Sequence, residues 1–99
     1  DYILVSVISP LKKTREYACR IFKQNYYEIY VYASIPTLLK RDTKGLYNLS
    51  QKGLIKNLIG YKSKISYELS DHKYLKINTN ILSPYKCLRK ILKYAKIIW

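Results

Sequence analysis

The chain has 99 residues, which is the size of one small domain or of part of a larger one. Its net charge of +13 comes from 19 Lys and Arg against 6 Asp and Glu, and the cations are spread along the chain instead of forming one block. Because lysine outnumbers arginine 15 to 4 and Ile and Tyr are abundant, we interpret the charge mostly as compositional background and not as a nucleic-acid-binding signal.

The chain opens with a strand pattern that leads into a helix pattern. Tyr2 to Ile8 is a nearly continuous apolar run, which is typical of a strand buried on both faces of a parallel sheet. Ser9 is a residue type that caps helices and Pro10 suits a first helical turn, so a helix is predicted from there to about Lys23.

The same order of elements returns further along. The sequence predicts a strand over Tyr27 to Ala33, a helix over Ser34 to Arg41, a strand over Tyr74 to Asn78 and a last helix from Ser83 to about Ile98. The polar segment 42–71 is predicted to be irregular or to form short helices. Strands alternating with helices predict an α/β fold with a three-stranded parallel sheet.

Ligands of parallel sheets bind beyond the carboxyl ends of the strands. Ser9, Ser34 and Asn78 stand at those positions and are therefore expected near a site.

All three glycines lie between Arg41 and Lys62, at Gly45, Gly53 and Gly60, and they predict hinges around short helical pieces. Cations lie among them that suit phosphate or sulfate groups. These cations are Arg41, Lys44, Lys52 and Lys56.

The order of residues in this segment resembles the lid of adenylylsulfate kinases. The matching residues are Arg41-Asp42, Lys44-Gly45-Leu46-Tyr47, Lys52-Gly53 and Lys56-Asn57, with Gly60 following. Upstream, Val7-Ile8-Ser9-Pro10 is similar to the Ile-Ser-Pro segment of the same family. The resemblance runs from about Val5 to about Ile98.

The resemblance implies that residues 1–99 are one partial domain, the carboxyl-terminal half of an adenylylsulfate kinase-like domain, with a lid at about 42–71. The implied fold is of P-loop nucleoside-kinase type. Such a kinase needs a glycine-rich phosphate cradle, and no glycine precedes Gly45. We therefore expect the chain to be inactive on its own and the missing half to bind most of ATP and Mg²⁺.

The activity implied by the resemblance is ATP-dependent phosphorylation of the 3′-hydroxyl of adenylylsulfate. Ser9 matches the family's catalytic serine, although a helix-capping role for it stays open. Arg41 would bind the nucleotide by lying near the ATP base. The substrate-binding residues would be Ile8, Pro10, Lys44, Leu46 and Leu58.

Several positions depart from the family pattern. Leu58 stands where the lid usually carries an aromatic residue, Lys62 stands near the family's lid aspartate, and Leu11 and Lys12 also differ. These departures leave open a catalytically inactive, kinase-like module that senses nucleotides or serves as a partner domain. A small basic nucleic-acid-binding domain is the second alternative, although nucleic acid is not the partner we favour.

The resemblance further implies a homodimer and a cytoplasmic protein, and it leaves open an ATP sulfurylase partner. No apolar run is long enough for a membrane span, so no membrane association is expected. Cys19 and Cys87 are predicted to be buried, reduced thiols. His72 is predicted to be a surface residue without a metal.

Overall fold

The computed structural model describes residues 1–42, 44–53 and 66–97, which form a small α/β structure. In chain order the elements are α1 (Lys12–Phe22), β1 (Ile29–Tyr32), α2 (Ile35–Arg41), α3 (Leu46–Gln51), β2 (Leu75–Asn78) and α4 (Pro84–Tyr94), with a 3-10 turn at Lys23–Asn25 after α1. Within these described ranges, no helix is long and apolar enough to cross a lipid bilayer.

The two strands pair in parallel, as the alternation of strands and helices predicts. Their register places Ile29 beside Leu75 and Tyr32 beside Asn78. Helix α4 packs against β2, and Ile77 in the middle of β2 is fully buried. A parallel pair brings the carboxyl ends of both strands to one edge, and the loops that follow Tyr32 and Asn78 therefore start side by side.

One side of the sheet is covered by aromatic rings and cations. The ring of Tyr67 stacks on that of Tyr30 with centroids 4.4 Å apart, and the guanidinium of Arg15 lies 4.4 Å from the centroid of Tyr67. The ammonium group of Lys76 lies 4.3 Å from the ring centroid of Tyr32. These contacts hold the segment before β2 and helix α1 against the sheet.

The first predicted strand is the clearest difference between sequence and structure. The run from Tyr2 to Ile8 forms no strand, and Ile3 and Leu4 are 91% and 95% exposed. A strand buried on both faces needs a neighbouring strand and covering helices. In the part of the chain that the structure describes, β1 and β2 pair with each other, so the sheet has two strands instead of three.

Helix α1 begins two residues later than predicted, and Ser9 is not its cap. The capping position is Leu11, which has no side-chain acceptor, and the backbone N–H of Lys12 donates instead to Oε1 of Glu68 at 2.9 Å. Ser9 has a positive φ of 38°, which is outside helical geometry. The sequence pattern did not anticipate an acceptor 56 residues away.

The later helices begin where the sequence predicts. Ser34 is the N-cap residue of α2, and the Ser83 side chain accepts a hydrogen bond from the backbone N–H of Lys86 at 3.3 Å at the start of α4. Helix α4 ends at Tyr94, before the predicted Ile98. Its end is closed by Lys96, which has a φ of 57°.

Two smaller predictions need correction. Cys19 and Cys87 are free, as predicted, but both are partly exposed and not buried. His72 is partly buried instead of lying fully at the surface, because its side chain is 19% exposed and its Nε2 lies 2.8 Å from Oε1 of Glu28.

Candidate functional site

A shallow, open depression with a volume of about 190 Å³ lies between α2 and α3, and we call it the α2–α3 pocket. Its lining residues are Leu38, Arg41, Asp42, Lys44, Leu46 and Tyr47. Three of these residues, Arg41, Lys44 and Leu46, are ones that the sequence singles out as ligand-binding candidates. The pocket combines two cations with apolar and aromatic side chains, which suits a ligand that carries an anionic group on a flat ring.

Asp42 lines this pocket and accepts hydrogen bonds from the first turn of α3. Its two carboxylate oxygens accept hydrogen bonds from the backbone N–H groups of Tyr47 and Asn48 at 3.0 and 2.9 Å. Its backbone carbonyl accepts a third bond from Gly45 at 3.0 Å. A carboxylate at the positive end of a helix satisfies donors that have no partner inside the helix. Asp42 therefore fixes the start of α3 and, with it, the position of Lys44.

Gly45 and Gly53 flank α3 as the sequence predicts. Their φ angles are 69° and 76°, in the left-handed region that favours glycine. Gly45 is the N-cap residue of α3, and Gly53 follows its last turn, with its N–H donating to the carbonyl of Ser50 at 3.0 Å. The third glycine, Gly60, lies outside the described residues.

Arg41 reaches from the end of α2 to the carboxyl end of the sheet. Its Nη1 donates to Oγ1 of Thr79 at 2.9 Å and its Nη2 donates to the carbonyl of Thr79 at 2.6 Å. Nearby, the backbone N–H of Ser34 donates to Oδ1 of Asn80 at 3.0 Å, and the N–H of Asn80 donates to Oδ1 of Asn78 at 3.0 Å. Ser34 and Asn78 thus meet at one edge, as predicted, and Thr79 and Asn80 join them.

Sequence reasoning did not single out Thr79 and Asn80. The signal that points to them is their position directly after the last residue of β2, where parallel strands deliver polar side chains.

Ser9 has its contact elsewhere, at Arg15 of α1. The carbonyl of Ser9 accepts a hydrogen bond from Nη1 of Arg15 at 2.6 Å. Ile8 is 66% exposed, and the carbonyl of Pro10 accepts a bond from the backbone N–H of Glu68 at 2.8 Å. The described contacts therefore tie Ser9 and Pro10 to α1 and the segment before β2, and none of the three residues lines the α2–α3 pocket.

A buried polar cluster, which we call the Arg15–Glu28 network, holds this second region together. Arg15 and Glu28 are 6% and 7% exposed, and Nε of Arg15 lies 3.6 Å from Oε2 of Glu28. Arg15 also donates to Oγ of Ser70 at 3.1 Å and to the carbonyl of Glu68. Because every contact satisfies a buried donor or acceptor, the network is structural in character.

The carboxylate of Glu28 is the centre of that network. Burial raises the pKa of Glu28, but hydrogen bonds from Ser70, His72 and Tyr26 outweigh burial, so its pKa is lower than usual. Burial first and the Glu28 carboxylate second raise the pKa of Tyr26, whose hydroxyl therefore stays protonated and donates to Oε1 of Glu28 at 2.8 Å. Helix spacing in the sequence gives no hint of this cluster.

The described residues at the α2–α3 pocket do not fit a magnesium ion. Mg²⁺ requires several oxygen ligands in octahedral geometry. Asp42 is the pocket's one carboxylate within the described ranges, and both of its oxygens already accept backbone N–H groups. No group of three His, Cys, Asp or Glu suited to a metal occurs elsewhere among the residues described.

A larger concavity of about 420 Å³ lies along α4 and is lined by Arg89, Lys90, Leu92, Lys93 and Ile97. None of these residues belongs to the predicted lid or to the Ile-Ser-Pro segment. The predicted substrate residue Leu58 and the departing residue Lys62 lie outside the described part of the chain.

Comparison with known proteins gives a consistent result. The family described as adenylylsulphate kinase matches residues 1–78. An adenylyl-sulfate kinase of Thermodesulfovibrio yellowstonii is 37% identical over 95 residues, which cover 95% of this chain and 46% of that protein. A probable adenylyl-sulfate kinase of Pyrococcus abyssi is 36% identical over 93 residues, which cover 94% of this chain and 52% of that protein.

The chain thus spans about half the length of the curated relatives it matches. No solved structure matches it. The family match covers both the Ile-Ser-Pro segment and the α2–α3 pocket, and it ends at the last residue of β2. On this evidence the chain belongs to the adenylylsulfate kinase family.

Proposed function

We propose that this chain is part of a kinase that transfers a phosphoryl group from ATP to the 3′-hydroxyl of adenylylsulfate. The observation that carries the proposal is the α2–α3 pocket, where Arg41, Lys44 and Leu46 line one cavity. The three residues lie within one continuous stretch of the chain, 41–46, and line the same depression between α2 and α3. Membership of the family supplies the identity of the ligand.

The roles that we propose follow from side-chain chemistry. Lys44 is exposed and supplies a positive charge to the sulfate and phosphate groups of adenylylsulfate. Leu46 supplies apolar surface next to it. Arg41 presents a planar guanidinium that stacks on the ATP base. Phosphoryl transfer depends mainly on positioning and charge stabilisation, which are the contributions that such residues make.

The remaining assignments rest on the family resemblance alone. Ser9 is the candidate catalytic residue, Ile8 and Pro10 shape the substrate wall, and Leu58 covers the adenine. Homodimerisation and an ATP sulfurylase partner belong to the same proposal. Since the chain spans about half of its relatives, the phosphate cradle for ATP is proposed to lie in the other half.

The test is a calorimetric titration of the chain with adenylylsulfate. We expect saturable binding that a Lys44→Ala substitution weakens at least about tenfold, which is the value of one charge-assisted hydrogen bond. Lys40→Ala is the matched control, because Lys40 is an exposed lysine of α2 that does not line the pocket. No binding by the folded chain, or equal loss in both variants, would contradict the proposal and favour the inactive module.

One observation favours the second candidate, a nucleic-acid-binding domain. Lys86, Arg89, Lys90 and Lys93 lie on one face of α4 at helical spacing, and all four are exposed. The segment 84–97 contains no Asp or Glu. Titration of the same chain with a polynucleotide at low and moderate salt tests this candidate, since phosphate binding by these cations weakens steeply with added salt.

A further inference from the structure

Thr79 links Arg41 to the sheet through its hydroxyl group and its backbone. Oγ1 of Thr79 donates its hydrogen to the carbonyl of Tyr32 at 3.0 Å and accepts from Nη1 of Arg41 at 2.9 Å. A hydroxyl has one hydrogen and a guanidinium has only donors, so the two roles of this hydroxyl are fixed. The backbone N–H of Thr79 also donates to the carbonyl of Tyr32, at 2.8 Å.

The anchor at the other end of this link is the sheet itself. Tyr32 is the last residue of β1 and pairs with Asn78, the last residue of β2. Thr79 follows directly, so its position is set by the strand register and by two bonds to Tyr32. Arg41 then receives a second contact from the carbonyl of Thr79, to which Nη2 donates at 2.6 Å.

Two parallel bonds from the fork of a guanidinium hold its plane as well as its position. The bonds use N–H groups at the edge of the group, whereas stacking on a ring uses its flat face. A long arginine side chain on an exposed helix end otherwise samples many rotamers, and ordering it reduces the affinity of any ligand that it contacts. The contacts of Thr79 remove that cost before a ligand arrives.

We infer that Thr79 is a positioning residue, which holds Arg41 ready to stack on the base of ATP. The inference rests on the proposed function, because it takes Arg41 to be the nucleotide-binding residue. It adds Thr79 to the residues of the site and requires a hydroxyl group at this position. Serine keeps the hydroxyl at this position, whereas valine keeps the branched shape and removes both the donor and the acceptor.

The alternative is that Thr79 only ties its loop to β1. A substitution would then weaken the fold and reduce ligand binding without any dependence on Arg41. A double-mutant cycle separates the two roles, because a residue that acts through Arg41 loses its effect when Arg41 is already absent.

The experiment measures ATP affinity by NMR titration, which detects weak binding of the base when the phosphate cradle lies in the other half. It compares the unmodified chain with Thr79→Val, Thr79→Ser, Arg41→Ala and the Thr79→Val/Arg41→Ala double variant. We expect Thr79→Val to weaken ATP binding about fivefold to tenfold, which is the effect of losing one hydrogen bond to a charged group, and Thr79→Ser to restore it. In the Arg41→Ala background the valine substitution is expected to have no further effect. NMR signals of the Arg41 guanidinium should show that this group is ordered in the unmodified chain, mobile in Thr79→Val and ordered again in Thr79→Ser.

Unchanged affinity in Thr79→Val, or equal losses with and without Arg41, would overturn the inference. The outcome is separable from the proposed function through the adenylylsulfate titration. If the chain binds adenylylsulfate through Lys44 but does not bind ATP, the role of Thr79 falls and the substrate assignment stands. If it binds neither ligand, both fall.

Discussion

Glu28 shows how much of this small structure depends on single buried polar residues. Its carboxylate contacts groups from three parts of the chain, namely Arg15 of α1, the Tyr26 hydroxyl before β1, and Ser70 and His72 before β2. Ser70 donates to Oε2 of Glu28 at 2.5 Å. Ile77 is the one fully buried apolar side chain in the described residues, so polar contacts carry an unusual share of the tertiary organisation.

Replacing Glu28 with glutamine should therefore destabilise the fold. The substitution leaves Arg15 buried without its counter-charge, which costs about 3 kcal/mol or more in the free energy of unfolding. Urea denaturation followed by circular dichroism measures the change. The control is Glu16→Gln on α1, a partly exposed carboxylate for which a change within about 0.5 kcal/mol is expected. Equal changes in the free energy of unfolding of the two variants would show that the Arg15–Glu28 network stabilises the fold no more than a partly exposed carboxylate does.

The same residue gives a pH dependence with a definite sign. Because the pKa of Glu28 is lower in the folded chain than in the unfolded one, its stabilisation is complete above the unfolded value of about 4.3. It is lost as the pH falls from there through the folded pKa. Unfolding curves between pH 2 and pH 6 should show a smaller acid loss for Glu28→Gln than for the unmodified chain. A parallel fall in both proteins would contradict this assignment.

At the scale of elements, the sequence pattern predicts where a helix begins when neighbouring residues alone determine that start. Ser83 and Pro84 announce α4 correctly because cap and first turn are adjacent in sequence. Ser9 and Pro10 carry the same signal, yet α1 starts at Lys12 with Glu68 as the acceptor. The difference is that a side chain far along the chain supplies the missing acceptor, and no local window contains it.

In the candidate site, too, the sequence predicts the residues of a local motif but not the contacts between distant parts of the chain. The motif order predicts Arg41, Lys44 and Leu46 as ligand-binding residues, and all three line the α2–α3 pocket. Thr79 contacts Arg41 across 38 positions of the chain, and Arg15 contacts Ser70 across 55, so helical or strand periodicity does not predict these contacts.

Asp42 provides the test of the pocket at this scale. Asp42→Ala removes both acceptors at the start of α3, and we expect a loss of about 1 kcal/mol with fraying of the helix. Hydrogen exchange should show faster exchange at the N–H groups of Tyr47 and Asn48, which donate to Asp42. Asp71→Ala is the control, because Asp71 makes an exposed ion pair with Lys12 at 3.1 Å. Unchanged exchange in Asp42→Ala would contradict the capping role.

At the scale of the whole molecule, the described structure is less compact than its length predicts. Its radius of gyration is 15.2 Å, whereas a compact domain of this length has a radius of about 13 Å. The apolar run from Tyr2 to Ile8 lies exposed, and the sheet has two strands among the described residues. A buried strand depends on the neighbouring strands of the whole sheet, and this explains why the apolar pattern of Tyr2 to Ile8 gave an incorrect prediction of a buried strand.

The partial coverage of the relatives also bears on which step of the proposed function this chain can be tested for. The chain covers about half of the kinases that it resembles, yet the residues around the α2–α3 pocket come from one continuous stretch, 38–47. Helix α2, the Asp42 cap and the Thr79 anchor are all present in the described residues. The proposed binding of adenylylsulfate at the α2–α3 pocket can therefore be tested in this chain independently of catalysis.

The most direct test of the central claim is NMR mapping of adenylylsulfate on the isotope-labelled chain. We expect saturable shifts at the backbone amides of Arg41 and Lys44 to Tyr47, with the amides of α4 unaffected. Shifts confined to α4 and its cations, or no saturable shift anywhere in a folded chain, would contradict the claim that the α2–α3 pocket binds this substrate.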